Sequence, residues 1–228
     1  MEEYKILSIK IGQMMAQNKD ESDEYLTMLL IKRSRILNNA KNKIHVLEDL
    51  LDQNKDIRDT LIYCAPGGQI DDVMHLVGVQ KRIRAHRFTA EEDIPTRRNL
   101  LERFSKGDLQ VLSAMKCLDE GVDVPSTRKA YILASSSNPR EFIQRRGRVL
   151  RMFPGKDHAD IYDLITIPPP FSELNEISIK AEQSILRREL KRFVEFADSA
   201  NNTQSAYDVV WDLAVRFNVL DALEEDTL

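Results

Sequence analysis

The stretch REFIQRRGRVLR, Arg140 to Arg151, carries five arginines in a chain whose formal net charge is only −4. Wound onto a helix at about 100° per residue, it places Phe142, Ile143, Val149 and Leu150 on one face and Gln144, Arg148 and Arg151 on the other. Asn138 can cap this helix, with Pro139 at its first position and Glu141 reaching back. Gly147, between Arg146 and Arg148, costs about 1 kcal/mol relative to Ala in a helix interior, which points to a close approach of the backbone to something. Arg146 falls on the apolar face and is expected to snorkel or to pair with an acid. Two always-charged planar forks projecting together suit phosphate oxygens, which they grip bidentately. The plain alternative is a solvated face, since 31% of the residues are charged.

The elements that would hold such a helix follow from the texture of the chain. Short apolar runs, LIYCA (61–65), RAHRF (84–88), LQVLSA (109–114), AYILAS (130–135) and ADIYDLI (159–165), read as strands. Between them lie QIDDVMHLVGVQ, IPTRRNLLERFSKG and the arginine-rich segment, all with helical spacing. Alternating strands and helices predict an α/β fold, a mainly parallel sheet sandwiched by helices, with ligands at the carboxyl ends of the strands. Before this region, Leu26, Leu29, Leu30, Leu37, Ala40, Ile44, Leu47 and Leu51 recur mostly three and four apart, predicting one long helix over Glu21 to Asp52. Lys32, Arg33, Arg35, Lys41 and Lys43 are expected on its exposed face. After Pro168 to Pro170 the tail reads as a helical extension that packs on the core. The expected boundaries are 1–56, 57–168 and 169–228.

Composition narrows the classes. Cys64 and Cys117 are too few and too isolated for a disulfide framework or thiolate metal site, and the four histidines show no ligand spacing, so no metal is expected. The first 25 residues lack the basic start and apolar core of a signal peptide, and nowhere do about 18 apolar residues run uninterrupted. A cytoplasmic protein without a membrane partner is expected. Net acidity opposes a basic overall footprint for nucleic acid but leaves room for a local basic groove.

Ordered motifs give the α/β region a resemblance to the second RecA-like domain of superfamily 2 helicases. QRRGRVLR (144–151) resembles helicase motif VI, VLSAMKCLDEGVDVP (111–125) motif V, and LIYCA motif IV, with RRNLLERFSKG the helix between the last two. The flanks LIKRSRILNNAKNKIHVLEDLL and RRELKRFVEFADSAN are similar to the branch containing XPB-like helicases and type III restriction motor subunits. The resemblance implies that Arg148 and Arg151 reach the ATP γ-phosphate across a domain interface, and that Gln144 couples that interface to the other domain. It further implies that Asp123 lies near the ribose, that Gly121 makes the tight turn before it, and that Arg145 assists either ligand. Ser113, with Cys64 and Ala65 of the motif IV loop, is implied to contact nucleic acid. Asp123 as a plain turn cap and Ser113 as an unoccupied strand end remain the structural alternatives, and Arg97 is expected in a structural salt bridge.

YCAPGG lacks the lysine and hydroxyl of G-x-x-x-x-G-K-[ST], a pattern found nowhere in the 228 residues, and LDEGVD belongs to the motif V match instead of a Walker B pair. The chain is therefore expected to be the C-terminal part of a longer DNA motor, with RNA left open, that binds ATP with Mg²⁺ only together with an N-terminal RecA-like domain. Two other readings stand beside it. A stand-alone RecA-like binding module without hydrolysis is the first; a nuclease subunit is the second, and it finds no P-D…E-x-K pattern.

Overall fold

The computed structural model describes residues 2–17, 23–54, 56–115, 124, 126–134, 151, 153–167 and 176–224. They form two compact units, one from Asn38–Leu164 and one from Met1–Leu37 with Ile165–Leu228.

The first unit is an α/β sandwich. Helix α3 (Asn42–Gln53) leads into β1 (Thr60–Tyr63), α4 (Gln69–Met74), β2 (Ala85–Phe88), α5 (Ile94–Ser105), β3 (Val111–Ala114), β4 (Lys129–Ile132) and β5 (Asp160–Asp163). All four strand pairings are parallel, in the order β2-β3-β1-β4-β5. Parallel strands need crossovers, and those crossovers cover both faces of the sheet. The central β1 and β3 are accordingly buried at every position. Ile62, Val111 and Tyr131 pack with Leu47 and Leu51 of α3 and with Ile70 and Val73 of α4. Helix α4 continues as a π-helix over His75–Gln80. Helix α5 starts where its sequence signals a start: Asp93 Oδ1 accepts from the Thr96 N–H at 2.8 Å, with Pro95 in the first turn.

The stretch read as one helix over Glu21 to Asp52 is helical nearly throughout, but as two helices: α2 (Glu24–Asn38), which belongs to the second unit, and α3. The break falls at Asn39 to Lys41, after two asparagines whose side chains favour turns over helix interiors. Lys32, Arg35 and Lys41 are exposed as expected, whereas Arg33 and Lys43 are buried, a correction that each side chain's partner explains.

The second unit is helical. It contains α1 (Glu2–Ala16), α2, α6 (Glu176–Ala197) and α7 (Thr203–Arg216). Leu7 and Ile11 of α1 pack with Leu26 and Leu29 of α2 and Ala181 of α6. Leu186 and Leu190 of α6 pack with Val210 and Ala214 of α7 and with Phe217. The sequence reading gives 1–56 as a helical segment but singles out no separate helix ahead of Glu21, where α1 stands. Its signal is the spacing of Tyr4, Leu7, Ser8, Ile11 and Gly12, whose polar and small members dilute the apolar stripe. Inside this unit Glu182 is completely buried; Tyr4 Oη donates to its Oε2 and Ser8 Oγ donates to its Oε1 at 2.5 Å. Arg33, 1% exposed, stands 3.7 Å from the same carboxylate.

Candidate functional site

Parallel strands in one register end at one edge, so the segments leaving β1, β3 and β4 emerge side by side. The ladder runs one step past the strands: Cys64 N–H donates to Ala114 O at 2.8 Å, and Leu133 N–H to Tyr63 O at 3.0 Å. Beyond it the β1 loop is held from two directions. Gln69 Oε1 accepts from Ala65 N–H at 2.7 Å, while its Nε2 donates to Asn38 O at 2.7 Å. Asn39 Nδ2 donates to Pro66 O at 3.4 Å. Gly67 has φ +111°, a left-handed conformation that glycine adopts without strain. The exposed residues of this loop are Pro66, Gly67 and Gly68.

Ser113, Cys64 and Ala65 are thus brought together, but all three are buried. Ser113 Oγ has zero exposure and no hydrogen-bond partner among the described residues. Ala65 N–H is taken by Gln69, and burial pushes the Cys64 thiol well above its usual range, so that it is a packed neutral group and no nucleophile. The surface of this edge is made by the neighbours of the residues named from the sequence.

At the β4 exit, buried Lys43 donates from Nζ to Leu133 O at 2.6 Å. A buried ammonium needs acceptors, and one here is the carbonyl where the strand ends. After β2, Thr89 Oγ1 donates to Glu92 Oε2 at 2.9 Å. Among the described residues Arg97 is not held by a carboxylate: its Nε and Nη2 donate to the carbonyls of Glu92 (2.9 Å) and Ala90 (3.1 Å), which shape this loop from inside.

Arg151 lies elsewhere. It is exposed, and its carbonyl accepts from Lys156 Nζ at 3.0 Å. Phe153 to Lys156 form a turn whose Gly155 carbonyl accepts from Arg128 Nη2 at 2.5 Å. Arg128 immediately precedes β4, so the turn is held from the amino-terminal edge of the sheet, away from the β1 loop. Gly121, Asp123, Gln144, Arg145 and Arg148, and with them most of the arginine-rich segment, lie outside the described residues. Asn39, Lys43, Gln69, Arg128 and Lys156 were not singled out as site residues from the sequence. Only Phe-Pro-Gly-Lys carried a legible signal, that of a turn with Pro second and Gly third.

Among the described residues no three His, Cys, Asp or Glu side chains gather as they would around a metal ion, and no helix is long and apolar enough to cross a membrane.

A five-stranded parallel sheet flanked by helices is a RecA-like architecture. Residues 42–153 match the helicase conserved C-terminal domain family, and this stretch is a superfamily 2 helicase C-terminal domain with similarity to the XPB-like branch. The chain is 28% identical over 113 residues to DNA 3'-5' translocase XPB2 of Sulfurisphaera tokodaii, covering 50% of this chain and 24% of that one. It is 25% identical over 165 residues to putative ATP-dependent helicase IRC3 of Saccharomyces cerevisiae, covering 72% and 23%. It spans about a quarter of the length of these relatives. The C-terminal part of the Fun30 ATPase domain aligns at a TM-score of 0.49 and 20% identity, over 67% of this chain and 54% of that one.

Proposed function

We propose that this chain is the C-terminal motor portion of an ATP-dependent superfamily 2 helicase or translocase acting on DNA. The observation that carries the reading is the helicase C-terminal match over 42–153, laid on a parallel sheet in the order such a domain requires. In this reading Arg148 and Arg151 are the charge donors to the transferred phosphoryl group, with Gln144 and Arg145 beside them and Gly121 and Asp123 toward the ribose. The groups that cradle the β- and γ-phosphates and hold Mg²⁺ belong to a second RecA-like domain, since the 228 residues contain no phosphate-loop lysine pattern. Closure of the two domains around ATP is the step that moves the nucleic acid. The track on this half runs over the exposed residues Pro66 to Gly68, because Ser113, Cys64 and Ala65 are covered.

The test is ATP turnover of the complete motor. Arg148→Ala or Arg151→Ala is expected to lower kcat at least ~10²-fold, the scale of removing one transition-state charge donor. Lysine at either position is expected to rescue poorly, because it keeps the charge and loses the planar fork. The 228-residue chain alone is expected to turn over no ATP, with or without DNA. DNA-stimulated turnover by a pure sample of it would end the half-site reading, and full activity of both arginine variants would return the cluster to a solvated face. A binding module without hydrolysis would be indicated by undiminished DNA binding with no turnover in any longer form.

A further inference from the structure

We propose that Lys156 is a positioning residue for Arg151, acting through the Arg151 backbone; the inference rests on the reading of Arg151 as a phosphoryl charge donor.

Phe153, Pro154, Gly155 and Lys156 make a turn closed by Lys156 N–H donating to Phe153 O at 2.9 Å. Proline presets the second position, and Gly155 holds φ +76° at the third, the left-handed value that a type II turn demands. A β-carbon at Gly155 would find its nearest neighbour, Arg128 Nη2, at 3.8 Å, so the backbone angle and not lack of space calls for glycine. The turn doubles the chain back on the end of the arginine-rich segment.

Two cations then fix it. Arg128 Nη2 donates to Gly155 O at 2.5 Å, and Arg128 Nε stands 3.4 Å from Asp59 Oδ2. Its own backbone joins the starts of three strands, with Arg128 N–H donating to Asp59 O and Asp160 N–H to Arg128 O, both at 2.8 Å. The turn is therefore tied to the sheet and not to a loose loop. Lys156, only 4% exposed, donates from Nζ to Arg151 O at 3.0 Å. Lysine is almost never buried to this degree without a specific partner. Here its head holds the peptide of Arg151, a residue that is itself exposed.

That arrangement separates two jobs. The Arg151 residue is exposed, while its backbone is registered against β4 and β5 through Lys156 and Arg128. A charge donor misplaced by about 1 Å can lose on the order of 10² in rate, so the register matters to chemistry even when the fold survives. A merely structural lysine would instead affect stability and leave the rate per folded molecule unchanged.

The test is a double-mutant cycle in the complete motor at saturating nucleic acid. Lys156→Met keeps the length of the side chain and removes the donor. It is expected to lower kcat about tenfold with the KM for ATP within about twofold, an intermediate share of the misplacement loss. In an Arg151→Ala background the same change is expected to add no further loss of rate, because the proposed effect of Lys156 on turnover runs through the Arg151 peptide. Gly155→Ala provides a second route: it strains the turn, leaves the ammonium in place, and is expected to lower kcat severalfold, again with no additional loss once Arg151 is gone. Should Lys156→Met not fold, Gly155→Ala carries the cycle. Losses of equal size in both backgrounds overturn the proposal, as does normal turnover of both variants while Arg151→Ala is crippled; that second pattern leaves the charge-donor reading standing. Normal turnover of Arg151→Ala itself removes both.

Discussion

Arg33→Met tests whether the buried cluster of the helical unit is built as described. Arg33 and Glu182 are 1% and 0% exposed, so solvent does not screen their interaction. Burial holds the Arg33 guanidinium below its usual value, and Glu182 pulls it back. At 3.7 Å the pair is too long for a hydrogen bond, so the attraction is Coulombic, and the carboxylate takes its hydrogen bonds from Tyr4 and Ser8 instead. Removing one partner of a buried pair destabilises by about 3–5 kcal/mol, and the two hydroxyl donors left to Glu182 place this case near ~3. With m of about 1–3 kcal/mol/M in urea, the unfolding midpoint should fall by roughly 1–3 M. The probe is built in: Trp211, the one tryptophan of the sequence, lies on α7 of the same unit, so its fluorescence follows this unit even if the two units unfold separately. Arg33→Met with Glu182→Leu removes both charges and should recover most of the loss or exceed the parent. A single-variant loss under about 1 kcal/mol, with the double no better, is the behaviour of an exposed pair and would refute the burial argument.

Two further outcomes follow from the sheet. Above pH ~9 an unfolded thiol ionises, while burial keeps Cys64 protonated in the fold, so the unfolded state binds fewer protons and stability falls as pH rises, by up to about 1.4 kcal/mol per unit. Burial also pushes the Tyr131 hydroxyl from 10.0 up to about 12, adding a second loss between those values; urea titrations of Cys64→Ala from pH 8 to 10 should show the first slope flattened, and an unchanged slope would mean the thiol is solvated. DNA should bind the chain weakly, its log-log salt slope changing by about 0.9 per duplex phosphate contact or 0.7 per single-strand contact. Gly68→Asp is the sharp variant, because Gly68 is exposed, caps α4, and has open space for a side chain; Asp there suits the helix start yet repels phosphate, so fluorescence anisotropy should report lost affinity at unchanged stability, with Ser113→Ala without effect. Equal affinity for Gly68→Asp would remove the β1 loop from the track.

The sheet was legible because each strand is a short apolar run bounded by polar turns, and each boundary stands within three residues of its reading: Leu61 to Ala65 became Thr60–Tyr63, and Ala130 to Ser135 became Lys129–Ile132. Residue roles were less legible, for a physical reason. Periodicity sorts side chains by polarity, and Arg33 and Lys43 are polar residues buried by partners that spacing cannot reveal, a carboxylate on α6 and a carbonyl at the end of β4. The same blindness runs the other way at Ser113, Cys64 and Ala65. A strand end reads as a surface, but the ladder extends past it and Gln69 folds over the backbone, passing exposure on to Pro66, Gly67 and Gly68. Helix α1 escaped because two of its five buried positions are Ser8 and Gly12, which no apolar stripe counts.

The sequence led to the expectation that ligands gather at the carboxyl ends of the strands, and Arg151, whose role is proposed above, is held from the opposite edge. The β1 loop lies at the carboxyl edge, whereas Arg151 is registered from the amino edge through Lys156, Gly155 and Arg128. Strand β4 spans the two: Arg128 immediately precedes it, and Lys43 grips the Leu133 carbonyl just beyond it. Four residues at about 3.3 Å each separate these anchors, and β4 is hydrogen-bonded to β1 on one side and β5 on the other. A strand paired on both sides does not stretch or shift register without breaking two ladders. Displacement of the Arg151 peptide therefore reaches the carboxyl edge as movement of the whole sheet, which is the mechanical property a domain needs if closure on a nucleotide is to pull on a bound strand.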